Sequence, residues 1–224
     1  MAIRSIVVDI GNVLADYRWY GFLKDKGFSP ERIDRIARSS VLHPAWGEYD
    51  RGVLSVQEVI EGFIRTDPEI ADDFHRAFDS LCGLLRPRDY AVRLVSALKN
   101  AGYGVFYLSN FSQKAAEDCP EALSFLPYTD GGVFSYRVKL LKPDPAIYRL
   151  LLERYGLRAE ESVFLDDMTE NVAGARSVGM RGIVFSTLTQ ALGELEGMGV
   201  CPDGFPGEKI SVQILQKRAM ILMR

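Results

Sequence analysis

Apolar and polar positions along the 224-residue chain change period twice. Residues 3–9, "IRSIVVD", are short, apolar and β-branched, which predicts a strand covered on both faces, as in a parallel sheet. That strand ends on an acid, Asp9, with Gly11 and Asn12 just beyond. From about 18 to 83 the period turns helical, and no strand is predicted there. Ser55 and Glu58 have the spacing of a capping box, and Pro68 opens a helix over "PEIADDFHRAFDSLC" where a first turn tolerates proline. Beyond residue 87 helices and strands alternate, with strands over "YGVFYLSN", "ESVFLDD" and "RGIVFS" and helices between them. This order predicts an α/β protein: a doubly wound parallel sheet with a small helical insertion after the first strand. The core is assigned to 1–15 and 87–200 and the insertion to 16–86. Residues 201–224, after the break "MGVCPDGFPG", form a C-terminal tail of unassigned role.

In such sheets ligands bind outside the carboxyl ends of the strands. Asp9, then Ser109 and Asn110, then Asp166 and Asp167 all fall at predicted strand ends, so three strands deliver acids and polar groups to one edge. An aspartate there can act as a covalent nucleophile, splitting one difficult displacement into two easier ones. A phosphoryl group approaching it brings like charge into a low-dielectric cleft, so a cation must intervene. A hard ion such as Mg²⁺ suits carboxylates, a backbone carbonyl and water. Taken singly, these residues have plainer readings: Asp166, Asp167 and Ser109 as helix caps, and Asp9 as a turn former before Gly11-Asn12.

Composition narrows the partners. The net charge of −3, with 27 basic against 30 acidic residues, gives no basic surplus for nucleic acid or an anionic membrane. No signal-peptide pattern or membrane-length apolar run is present, so a cytoplasmic protein, monomeric or homodimeric, is expected. Cys82, Cys119 and Cys201 are widely spaced and read as ordinary thiols.

Four segments in order, "VVDIGNVL" (7–14), "YLSN" (107–110), "LLKPDPAIY" (140–148) and "FLDDMTENVAGARSVGM" (164–180), resemble the haloacid dehalogenase-like (HAD-like) hydrolase superfamily. The first motif is similar to that of small-cap members that resemble sugar-phosphate phosphatases. The resemblance implies a Rossmann-like core, a small helical cap formed by the insertion at 16–86, a Mg²⁺ cofactor and a small phosphorylated substrate. It makes Asp9 nucleophile and ligand, Gly11 a ligand through its carbonyl, and Asp167 the second carboxylate ligand, with Asp166 and Asn171 supporting them. Ser109 and Asn110 would bind the phosphoryl group, and Lys142 would neutralise it and the nucleophile. One position departs from the family pattern. Most of its phosphatases carry a second aspartate two residues after the nucleophile as general acid and base, and here that residue is Gly11. Asp16 lies too far along the chain to replace it without a fold-back.

The missing acid predicts a steep dependence of rate on leaving-group pKa. It also keeps open two alternatives: a metal-independent dehalogenase, and a phosphate-binding protein without turnover. In the cap, "WYGFLKDKGF" and "VLHPAWGEYDRG" supply aromatics, Arg18, His43 and Arg51 as groups able to meet a leaving group. Trp46 and Tyr49 are expected chiefly to fill the cap's own core, and His43 and His75 to be non-catalytic.

Overall fold

A computed structural model describes residues 2–202, so positions 203–224 of the predicted tail lie outside the described residues. Five strands form one sheet: β1 (Ser5–Val8), β4 (Gly104–Ser109), β5 (Gly131–Phe134), β6 (Ser162–Asp166) and β7 (Arg181–Val184). Their order is β5-β4-β1-β6-β7, with every pairing parallel. The central strand β1 is buried at all four positions. Its alternate side chains enter two different cores: Ile6 and Val8 face one layer, while Val7 joins Phe106, Phe164, Ile147 and Tyr148 in the other. Burial on both faces is why the strand reads as a continuous apolar run.

The order reverses at β1, since the chain first builds outward to β4 and β5 and then crosses to β6 and β7. This is the switch point at which doubly wound sheets place their ligands. Helices α6 (Ala91–Asn100), α7 (Gln113–Asp118), α8 (Ser135–Val138), α9 (Pro145–Tyr155), α10 (Thr169–Ser177) and α11 (Leu188–Gly197) lie between or after these strands. The start of α9 is fixed by Asp144, whose side chain accepts from Ala146 N, and by Pro145 in the first turn.

Between β1 and β4 the chain inserts five helices: α1 (Trp19–Asp25), α2 (Pro30–Ser39), α3 (Ala45–Arg51), α4 (Val56–Thr66) and α5 (Ala71–Phe78). The Ser55–Glu58 capping box opens α4 as expected. Pro68, by contrast, starts a short 3₁₀ turn that precedes α5. Trp46 stacks on Phe63 at 6.1 Å and meets Tyr49 edge-on at 5.4 Å, within an aromatic cluster that holds the insertion together. No helix among the described residues is long and apolar enough to cross a membrane.

Two features depart from the sequence reading. A two-stranded antiparallel ribbon, β2 (Ala15–Tyr17) with β3 (Leu85–Pro87), ties the insertion's two ends together. Three residues per strand are too few to show a period. β5 was also not predicted, because half of it is Gly131-Gly132. Gly132 is needed there: a Cβ at this position would run into the carbonyl and ring of Tyr107 on β4.

Candidate active site

β1, β4 and β6 stop at the same level. Val8 pairs with Tyr107 on one side and Leu165 on the other, so Asp9 steps off the sheet between Ser109 and Asp166. Its amide donates to Leu165 O at 2.9 Å. A cavity of about 260 Å³ opens over this edge. Asp9, Gly11, Ser109, Asn110, Lys142, Asp167 and Asn171 all line it, so seven of the eight residues singled out from sequence meet at one place. The eighth, Asp166, sits fully buried behind them.

Lys142 arrives from the loop before α9. Its Nζ lies 2.5 Å from Asp166 Oδ2 and 2.7 Å from Asp9 Oδ1, with the lysine only 4% exposed. Burial disfavours the ammonium, but the two carboxylates outweigh that and raise its pKa. Asn110 fixes the loop: its Oδ1 accepts from Lys142 N at 2.8 Å and its Nδ2 donates to Lys142 O at 3.0 Å. Both ends of the Asn110 side chain are thereby engaged with the lysine's backbone, while Ser109, the last residue of β4, donates a hydrogen bond to the Asp9 carboxylate.

Asp166 is held on both oxygens. Oδ1 accepts from Met168 N at 2.8 Å and Asn171 Nδ2 at 3.0 Å, while Oδ2 takes the lysine. The carbonyl of Asn171 in turn accepts from Tyr148 at 2.7 Å. Asp167 instead faces the cavity, and its Oδ2 accepts from Asn12 Nδ2 at 2.9 Å. Asn12 stands at φ 55, a left-handed conformation that asparagine tolerates better than most residues. Burial raises the pKa of Asp9 despite Lys142, and raises that of Asp167 despite the Asn12 hydrogen bond.

Ligand atoms of Asp9, Asp166 and Asp167 lie within 4.8 Å of one another. Three carboxylates gathered around one ammonium carry surplus negative charge when ionised, which a divalent cation would offset. The donor set is all oxygen, which fits a hard ion such as Mg²⁺. Asp9 and Asp167 are the carboxylates that line the cavity, with Gly11 beside them.

One acid of the cavity was not singled out from the sequence. Asp50, in the last turn of α3, lines the same cavity from the helical insertion. Burial raises its carboxyl to about 7, opposed by Lys142 and reinforced by Asp9. Its backbone is stitched to the core: Ser135 Oγ donates to Asp50 O at 2.6 Å, and Lys139 Nζ donates to Gly52 O. In the sequence it is one acid in a helical period, which ordinarily faces water. The other polar groups considered in the insertion go elsewhere. Arg18 bonds Asp25 and Gly83 O, Arg51 pairs with Glu48, and His43 Nδ1 accepts from Ala45 N. Asp16 is held by Arg88 at 2.7 Å.

The family model for haloacid dehalogenase-like hydrolases matches residues 3–179, which takes in every residue of this cluster. The chain belongs to that family. A HAD-like hydrolase from Bacteroides thetaiotaomicron, solved with magnesium and inorganic phosphate, superposes with a TM-score of 0.63 at 20% identity, covering 85% of this chain and 99% of that one. Among curated relatives, drimenol cyclase drtB of Aspergillus calidoustus is 30% identical over 187 residues, which are 82% of this chain but only 34% of that protein. The chain therefore spans about a third of that relative. Sesquiterpene phosphatase astK of Aspergillus oryzae is 25% identical over 180 residues, 80% of this chain and 88% of its own length.

In this HAD-like hydrolase the α10 segment also sets the lysine loop. Gly174 packs so closely that a Cβ would stand 2.5 Å from Pro143 O and 2.9 Å from the Tyr148 ring. Gly174→Ala should destabilise the fold by about 1–3 kcal/mol through overpacking, despite alanine's better helix propensity. Chemical denaturation measures this, and an unchanged or raised midpoint would contradict it.

Proposed function

We propose that the chain is a Mg²⁺-dependent phosphatase of small phosphomonoesters that works through an aspartyl-phosphate on Asp9. The observation that carries this reading is the buried cluster in which Lys142 bridges Asp9 and Asp166 while Asp167 completes a cation-seeking triad. A dehalogenase attacking a neutral carbon–halogen bond would leave the cavity-facing Asp167 without a role. Asp9 would attack phosphorus, Lys142 would offset charge on the nucleophile and phosphoryl oxygens, and Ser109 would donate to one of those oxygens. Asn110, Asp166 and Asn171 would hold Lys142 and the acidic pair in place. A bound Mg²⁺, held by Asp9, Asp167 and the Gly11 carbonyl, would supply electrostatic stabilisation of the phosphoryl charge.

For the leaving group, the cavity offers Val41, Trp46, Leu84, Leu85, Phe111 and Ala115. Tyr17, Asp50 and Ser112 also line the cavity, but the six side chains above offer sugar hydroxyls only the Trp46 indole N–H, and burying unpaired hydroxyls is costly. This wall supports an apolar alcohol rather than the sugar expected from the resemblance, and kinship with a protein named sesquiterpene phosphatase points the same way. Phosphate release is expected to fall about 100-fold or more in EDTA and to return with Mg²⁺, because the surplus negative charge would again repel substrate. With Mg²⁺ present, apolar alkyl or prenyl phosphates should exceed hexose phosphates by about tenfold in kcat/KM, the worth of one or two well-placed apolar contacts. Activity indifferent to EDTA would remove the cation from the reading, and a preference for hexose phosphates would reverse the substrate assignment.

A further inference from the structure

Gly11 leaves the core without an acid at the place where one is usual, and Asp16 is tied to Arg88 outside the cavity. Among the described residues, the cavity is lined by one further carboxyl beyond the Asp9–Asp167 edge, that of Asp50. It comes from the opposite side, since α3 belongs to the helical insertion and Asp9 to the sheet. Asp9, Asp50, Trp46 and Val41 line the same cavity, so a substrate with its phosphoryl group on Asp9 and its alcohol portion against Trp46 and Val41 would carry its bridging oxygen through the space that Asp50 also lines. The anchors from Ser135 and Lys139 to the backbone of Asp50 and Gly52 bind the last turn of α3 to the core, which fixes Asp50 relative to Asp9.

Resting on the phosphatase reading above, we infer that Asp50 is the proton donor and acceptor of the reaction, supplied by the insertion in place of the residue missing at position 11. In the first half, Asp9 Oδ forms a bond to phosphorus as the phosphorus–ester oxygen bond breaks. The departing oxygen takes the Asp50 proton and leaves as alcohol. In the second half, Asp50 carboxylate accepts a proton from water as that water's oxygen attacks the aspartyl-phosphate. The phosphorus–Asp9 bond breaks with its electron pair returning to the carboxylate, and inorganic phosphate leaves with both acids restored.

Other cavity groups serve less well. Lys142 has its ammonium engaged by two carboxylates. Tyr17 carries a buried hydroxyl without a hydrogen-bond partner, but burial pushes its pKa up, making it a poorer acid. It remains a hydrogen-bond donor only.

The test is kcat/KM for a series of phosphate esters running from p-nitrophenyl phosphate to simple alkyl phosphates, in the wild type, Asp50→Asn, and Asp50→Asn combined with Gly11→Asp. General acid catalysis matters most for poor leaving groups. Asp50→Asn should lower rates on alkyl esters by ~10²–10⁴-fold and on p-nitrophenyl phosphate by less than about tenfold. The double variant should recover alkyl ester hydrolysis at least about tenfold, because the conformation of Gly11 is not a positive-φ one and a Cβ there would stand 4.0 Å from Asp9 Oδ2. The wild type alone is already informative, since a working acid makes its dependence on leaving-group pKa shallow. A steep wild-type dependence, or equal losses across the series in Asp50→Asn, would overturn the assignment while leaving the phosphatase reading standing. A wild type that releases phosphate from no ester in Mg²⁺ would overturn both.

Discussion

Asp9→Asn is expected to abolish phosphate release, by about 10⁴-fold or more in kcat, while leaving the protein folded. The amide matches the carboxylate in shape, so the strand end and its hydrogen bond to Leu165 O can stay as they are. It is, however, a poor nucleophile and a weak ligand for a hard cation. The fold should tolerate the change because the carboxylate is held at a cost. Asp9 is only 6% exposed, and burial raises its pKa even beside Lys142. Removing that charge relieves desolvation, and Lys142 keeps Asp166 as a partner at 2.5 Å. Thermal unfolding at neutral pH should therefore show a midpoint equal to or above that of the wild type, a pattern common where a site is built for chemistry rather than stability. Turnover within about tenfold of the wild type would exclude Asp9 as the nucleophile.

What could be read in advance divides along physical lines. The acids at the ends of β1 and β6 and the serine ending β4 were legible because, although each alone reads as a cap or a turn former, all fall at the ends of apolar strands that a parallel sheet aligns. The parallel sheet then carries those ends to one edge by topology alone. Lys142 is different. As a loop lysine it looks solvated, and only the motif around it pointed inward. The clamp by Asn110 that turns it into the cavity depends on a contact between residues 32 positions apart. Asn110 itself was expected on the phosphoryl group, whereas its side chain is engaged with the lysine's backbone.

Asp50 could not be found from its own segment. A helix of seven residues with one acid in its last turn carries no sign that this turn packs on the core and looks into a cavity. The deciding contacts come from Ser135 and Lys139, more than eighty positions away. What could be read was the gap at Gly11, a deficit that predicts a steep dependence on leaving-group pKa and keeps open a dehalogenase and a protein without turnover. β5 and the β2–β3 ribbon were missed for a different reason, because glycines and three-residue strands carry no alternation to detect.

Lys142→Met is expected to damage both stability and activity, and its pH dependence identifies the cause. Methionine keeps the length and apolar stem of lysine but removes the ammonium, which leaves Asp9 and Asp166 buried without their shared counter-charge. Breaking a buried pair by removing one partner typically costs about 3–5 kcal/mol, since an uncompensated charge stays behind. The sign follows from proton binding. Burial already raises the pKa of Asp9 and Lys142 opposes that rise, so in the folded variant Asp9 retains a proton that the unfolded chain releases above the ordinary aspartate pKa of about 3.9. The native state then binds more protons than the unfolded state, so stability falls as pH rises from that value toward neutrality. The deficit relative to wild type should be largest near pH 8 and shrink toward pH 4. Millimolar Mg²⁺ should recover part of it at pH 8 by binding the folded acidic cluster, with no recovery of phosphate release. Urea denaturation across pH, in EDTA and in Mg²⁺, measures all three effects. A variant as stable as the wild type at pH 8 in EDTA would show that Lys142 does not carry the charge balance of this site.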